Sequence, residues 1–346
     1  MALAVGSAQA QSLTDFFPGT REEELKQIKS PDGRSTAILT DKERHGWVLP
    51  PEGAKTFGRW ARLKVIRAGK TVYDSGDEPL NLYQMEPGFA LDLVWSPDST
   101  HIAYRHINTL RIIGPGGKAA NYSIGPEDFI IASFTWIDNQ SLMVVSKKGP
   151  FPLESHDKPY QYEGYTERAV DIRISRLHLT GGQTVRYRQP LHSPTFIFHS
   201  VDFCPTEISP KSDRVAFSDG VNLCVYDDTA GKVIAQFKIP QKPTKVEYSP
   251  DADAFTRKVD EEMAAEPDQL NGIWWQSNSR LVVGLELLGR QEKRAFYTFD
   301  IPSQKLTDVT KALLPVWQDY FRKSPKYAGV DWFGWQDPDW YRAGIQ

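Results

Sequence analysis

Long apolar runs are missing from this 346-residue chain. No stretch approaches the roughly 18 consecutive apolar residues of a membrane-spanning helix, which excludes that topology. An excess of positive charge is missing too: 41 Lys and Arg stand against 44 Asp and Glu, a net charge of −3. A sequence-independent electrostatic grip on nucleic acid is therefore excluded as a main activity. Only two cysteines occur, Cys204 and Cys224, so neither a disulfide-dense scaffold nor a Cys-x-x-Cys zinc site is available. His-Glu-x-x-His, an EF-hand loop, a P-loop and a Gly-x-Gly-x-x-Gly turn are all absent, and no metal or cofactor is expected. Without Gly-x-Ser-x-Gly there is no nucleophile elbow for a hydrolytic triad.

What the chain does have is a repeated pair of turns. Leu91, Leu93 and Trp95 alternate into Ser96-Pro97-Asp98-Ser99, and the alternation resumes at Ile102 and Tyr104. Period-two patterning places one side of each strand on a core; Pro97 presets φ, and Asp98 or Ser99 can bond the local backbone. Clear copies stand at Ser30-Pro31-Asp32-Gly33 and Ser209-Pro210-Lys211-Ser212-Asp213, with looser ones after Trp136 and Trp275. A second turn follows each first one, at Ala68-Gly69, Gly114 to Lys118, Gly181-Gly182, Ala230-Gly231 and Ser303-Gln304. Each unit thus holds four strands, and the most compact stretch, from Ser96 to Asp138, gives a repeat of roughly 42 residues, which fits a four-stranded propeller blade. The expected fold is an all-β propeller of antiparallel blades. Five are visible, and the C-terminus either supplies strands to a composite sixth or caps the ring.

The Trp-Ser-Pro-Asp turn and the Ile-Ala-Tyr at 102–104 resemble the blades of TolB-type, WD-like propellers. Similar blades occur in the non-catalytic domain of prolyl-oligopeptidase-type peptidases. The resemblance covers about residues 25–310 and implies the fold; it is shared by many functions and implies no activity.

Residues 1–10 end in Ala8-Gln9-Ala10, the small-x-small pattern of a secretory cleavage site, although a basic n-region is missing. They read as the tail of a signal peptide of a periplasmic or secreted protein, the alternative being an Ala-rich leader of a cytoplasmic one. Residues 11–346 form a single domain on this reading, with 311–346 closing or capping the ring. Cys204 and Cys224 fall on the first and third strands of a blade, which are not neighbours, so both a bridge and two free thiols stay open.

Extra length enters at 45–60, 147–168 and 242–270, always between a second and third strand or between blades. In an antiparallel sheet these connections share one rim, so that rim is the expected binding face for a protein or glycan partner. Trp47, Trp60, His156, Asp157, Tyr160, Tyr162 and Tyr165 are its candidate contacts, since rigid aromatics beside polar groups make good contact sites. The competing class is a carbohydrate-active enzyme using Asp92, Asp202 and Glu207 on the strands expected to line the channel. A third possibility is the propeller relic of an oligopeptidase.

Overall fold

The computed structural model describes residues 19–47, 54–79, 93–106, 109–124, 129–148, 170–191, 205–219, 222–238, 269–286 and 294–323. They form five antiparallel sheets, each built from four strands in chain order, and among the described residues one α-helix. Blade 1 comprises β1 (Gly19–Lys29), β2 (Ser35–Trp47), β3 (Ala54–Arg67) and β4 (Lys70–Asp74), with β5 (Glu78–Pro79) added against β3. Blade 2 comprises β6 (Leu93–Trp95), β7 (Ile102–His106), β8 (Thr109–Ile113) and β9 (Ala119–Ser123). Blade 3 is built from β10 (Phe129–Trp136), β11 (Ser141–Lys148), β12 (Val170–His178) and β13 (Gln183–Leu191). Blade 4 is built from β14 (Thr206–Ile208), β15 (Arg214–Ser218), β16 (Asn222–Asp227) and β17 (Lys232–Lys238). Blade 5 has β18 (Gln269–Ser277), β19 (Arg280–Glu286), β20 (Arg294–Asp300) and β21 (Lys305–Asp308), and the helix α1 (Thr310–Lys323) follows it.

The repeated turn works through its serine. In blade 2, Ser96 Oγ donates to Asp98 Oδ1 at 2.6 Å and accepts the His101 N–H at 2.9 Å, closing the turn from inside. Blade 1 repeats this with Ser30, Asp32 and Ser35, and blade 4 with Ser209, Asp213 and Arg214. The buried serine hydroxyl thus both donates to the turn acid and accepts the N–H that closes the turn, which gives that amide its partner.

Strand alternation sends one set of side chains to each neighbouring blade. Leu39, Leu63, Trp95 and Ile102 fill the space between blades 1 and 2, and Phe134, Trp136, Leu142 and Leu110 that between 2 and 3. Met143, Ile174, Phe217 and Tyr226 join 3 to 4, and Leu223, Val225, Leu281 and Phe299 join 4 to 5. The first strands β6, β10, β14 and β18 pack on one another in that order, so they are innermost, as in a propeller.

The tryptophans expected to wedge between sheets do so, and they also bond across. Trp136 Nε1 donates to Val94 O at 2.9 Å, Trp275 Nε1 to Glu207 O at 3.1 Å, and Trp95 Nε1 to Ile28 O at a longer 3.5 Å. Each indole reaches the same point of the preceding blade's first strand, one residue before that blade's own counterpart of the tryptophan. Blade 4 carries Ile208 at this position and has no N–H to offer.

One expectation needs correction. The segment 45–60 is not simply an inserted loop: the β2–β3 ladder runs out to Trp47 opposite Ala54, so most of the extra length is hairpin. The stretch after residue 310 begins as a helix. Leu313, Leu314, Trp317 and Tyr320 recur at helical spacing and cover Trp274, Val282 and Phe296 on the side of blade 5 away from blade 4. Arg294 lies over the Trp317 ring, 4.0 Å from its centroid. The tail from 324 onward, including the candidate blade start at Trp335, lies outside the described residues.

Candidate functional site: the rim of long connections

Strand direction sorts the connections into two rims. The first-to-second and third-to-fourth connections are tight turns, at 30–34, 68–69, 96–101, 114–118, 137–140, 179–182, 209–213, 228–231, 278–279 and 301–304. Their first turns are stitched from blade to blade. Asp32 N donates to Ser99 Oγ at 3.0 Å, Asp98 N to Asn139 Oδ1 at 3.0 Å, and Asn278 Nδ2 to Asp213 Oδ1 at 3.1 Å. These bonds align the first turns of blades 1 to 3 and of blades 4 and 5, and Asp228 in the second turn of blade 4 meets Arg176 and Arg186 of blade 3. Antiparallel order puts each blade's second turn at the same end as its first. The strand ends that open into 80–92, 149–169, 192–204 and 239–268 therefore all lie on the other.

That second rim carries polar groups at depths where charge is uncommon. Between blades 3 and 4, Lys147 is 5% exposed and Asp219 1% exposed. Register puts Lys147, Ile172 and Gln189 in one row across blade 3, facing blade 4. Gln189 Nε2 crosses the interface to Asp219 Oδ2 at 3.0 Å, and Asp219 Oδ1 also accepts the Asn222 N–H at 2.6 Å. Beneath them lies Cys224, a free thiol in the described structure, 3.8 Å from Asp219 Oδ2. Burial, with the nearby Asp219 charge adding to it, pushes this thiol up to about 12, so it is inert while covered. On the other face of blade 3, Arg188 binds the buried Asp171 carboxylate through both Nε and Nη2. Buried ionisable groups of this kind are kept only where they are paired, and they cluster at working surfaces.

A partly buried pair joins blades 1 and 2. Arg111 donates to the Glu78 carboxylate and, at 2.8 Å, to Tyr104 Oη, with its guanidinium 5.6 Å from the Tyr104 ring centroid. Burial raises the Tyr104 phenol, and Tyr73 and Glu78 raise it further, so it is a neutral hydrogen-bonding group at any ordinary pH.

Of the expected contacts, Trp60 is half-buried on β3 opposite Lys42, and Trp47 stands at the end of the β2 ladder. His156, Asp157, Tyr160, Tyr162 and Tyr165 lie outside the described residues. So do Asp92, Asp202 and Cys204. Glu207 is half-buried on innermost β14, where its carbonyl receives the Trp275 indole. The sequence reading missed Lys147, Gln189 and Asp219. A lysine and an aspartate closing two apolar strand runs were the available signal. Among the described residues no group of three or more His, Cys, Asp or Glu is placed to hold a metal, and no helix is long and apolar enough to cross a membrane.

Fold and rim together define a β-propeller scaffold with one plain face and one elaborated face. No family model matches the chain, and no curated protein does. Among solved structures it is similar to the WD40 domain of SCAP from fission yeast, with 12% identity and a TM-score of 0.39 over 88% of this chain and 57% of that one. It is also similar to a streptogramin B lyase, with 13% identity and a TM-score of 0.37 over 84% and 86% of the two chains. Prolyl oligopeptidase B from Galerina marginata gives 10% identity and a TM-score of 0.41, covering 83% of this chain and 35% of its own. This chain thus spans little more than half of the SCAP chain and about a third of the peptidase. Overlap this low transfers none of those proteins' ligands or reactions.

Proposed function

We propose that this chain is an exported, non-catalytic propeller that binds a macromolecular partner, a protein or a glycan, through the rim of long connections. The observation that carries the reading is the asymmetry of the disk. One rim is tied turn to turn by short bonds, while all four of the longest connections leave from the other. Function concentrates on connections held by a rigid scaffold, and the buried Lys147 and Asp219, with the half-buried Gln189, stand at the base of two of these. Export rests on the Ala8-Gln9-Ala10 pattern alone.

The test is affinity capture from the native envelope with the full chain, beside a variant in which 149–169 is replaced by a short turn and a second carrying Trp60→Ala. Loss of the captured partner in the loop variant, with an unchanged far-ultraviolet spectrum, supports the proposal. Retention of the partner, or protection of tight-turn amides on binding, overturns it. Glycan turnover that disappears on substituting Asp92, Asp202 and Glu207 by alanine would replace it with the carbohydrate-active reading.

A further inference from the structure

We propose that the interface between blades 3 and 4 is a built-in seam, the one junction of the described propeller that opens without the fold coming apart. Three of its four junctions are joined at the centre by an indole N–H that reaches the preceding blade. The junction between 3 and 4 is the exception, because Ile208 replaces the tryptophan. Its central polar contact is instead a pair of hydroxyls, Ser133 Oγ and Thr206 Oγ1, 3.2 Å apart.

Outside the apolar packing of Met143, Ile174, Phe217 and Tyr226 and the Gln189–Asp219 bond, this junction is held by charge. Asp228, at the tight-turn rim of blade 4, accepts from Arg176 Nη2 at 2.6 Å and from Arg186 Nε at 3.2 Å, both on blade 3. The two arginine side chains are 35% and 40% exposed while the Asp228 side chain is 7% exposed, so ions reach the contact from the arginine side. Raising salt from about 0.15 M to 1 M shortens the screening length from about 8 Å to about 3 Å and weakens such pairs, whereas an indole bond inside an apolar junction is indifferent to it. The connection 192–204 leads from the last strand of blade 3 to the first strand of blade 4, so opening of the junction would change the spacing of its two anchor points. The proposal rests on the junction contacts and not on the binding reading above.

Cys224 is a native reporter, since its side chain is 1% exposed and packs within this junction. In a full-length Cys204→Ser chain it is the single thiol, and its labelling by 5,5′-dithiobis(2-nitrobenzoate) follows opening. The control is a chain with Ala103→Cys, Cys204→Ser and Cys224→Ser, which puts the only thiol in the junction between blades 2 and 3 at a site that is 0% exposed. The expected result is labelling of Cys224 at least about tenfold faster than of the control, accelerated further by 1 M NaCl and by Asp228→Asn, with little dependence on urea. Equal rates at the two junctions overturn the proposal. So does labelling of Cys224 whose urea dependence equals that of global unfolding, which also covers the case in which Asp228→Asn merely weakens the whole fold.

Discussion

The indole of Trp136 fills the space between blades 2 and 3 and gives its one polar atom to Val94 O. Trp136→Phe keeps an aromatic ring there but leaves that carbonyl without its donor, a loss of about 1–3 kcal/mol in urea unfolding. Ile208 is the internal control: Ile208→Leu, which removes no polar bond, should cost less than about 1.5 kcal/mol. Gly117 makes a sharper case. It sits at φ 81, and a Cβ there would stand 1.8 Å from Val72 O on blade 1. Gly69 has nearly the same backbone, φ 75, with nothing within 4 Å of the added carbon. Gly69→Ala should therefore cost only the roughly 1–2 kcal/mol of a left-handed alanine, while Gly117→Ala costs clearly more because blade 2 must move off blade 1. Equal losses at the two sites would mean that the approach of the two blades is not tight.

Among the elements, the four-strand unit was legible because its signals are local: a serine, an acid and a left-handed residue in one turn, then period-two alternation. The positions on the innermost strand that make the junction bonds were legible as tryptophans but not as donors, because the acceptor is a carbonyl on another blade. Bulges were not legible at all. The first strand slips register between Glu24 and Lys26, Ile131 and Ser133, and Leu270 and Gly272, at equivalent places in blades 1, 3 and 5, with no common residue at the bulge. The helix α1 was missed because Pro315 interrupts it and its apolar stripe reads equally well as an irregular cap.

Two measurements belong to this scale. On blade 3, Ser146 and Ser175 are wholly buried on the same face, and neither hydroxyl has a partner among the described residues. The double change to alanine should raise stability by about 1 kcal/mol, and a loss instead would show that the hydroxyls are bonded after all. On blade 1, two bonds from Arg62 hold the Asp74 carboxyl down to about 2, below the ordinary 3.8. The stability this contributes is present above the ordinary value and is lost as pH falls toward 2. Asp74→Asn should flatten that part of the acid unfolding curve, by less than about 1 kcal/mol, since both partners are about a third exposed.

The described residues form a row of five sheets whose contacts run between consecutive blades, with a helix covering the fifth sheet. Such a row loses structure from an exposed end, because each unit is supported only by its neighbours, whereas a closed ring of equal junctions fails as one. Trp317 decides between these behaviours. It is 6% exposed and packs with Trp274, Val282 and Phe296 of blade 5. Trp317→Ala removes most of that cover, and truncations of buried tryptophan cost about 3–5 kcal/mol. In native-state hydrogen exchange the variant should lose protection first in β18 to β21, next in blade 4, and least in blades 1 and 2. A uniform loss across all five sheets would mean that blade 5 is coupled to blade 1 as firmly as to blade 4, and the helix would then be one support of a closed ring rather than the end of a row.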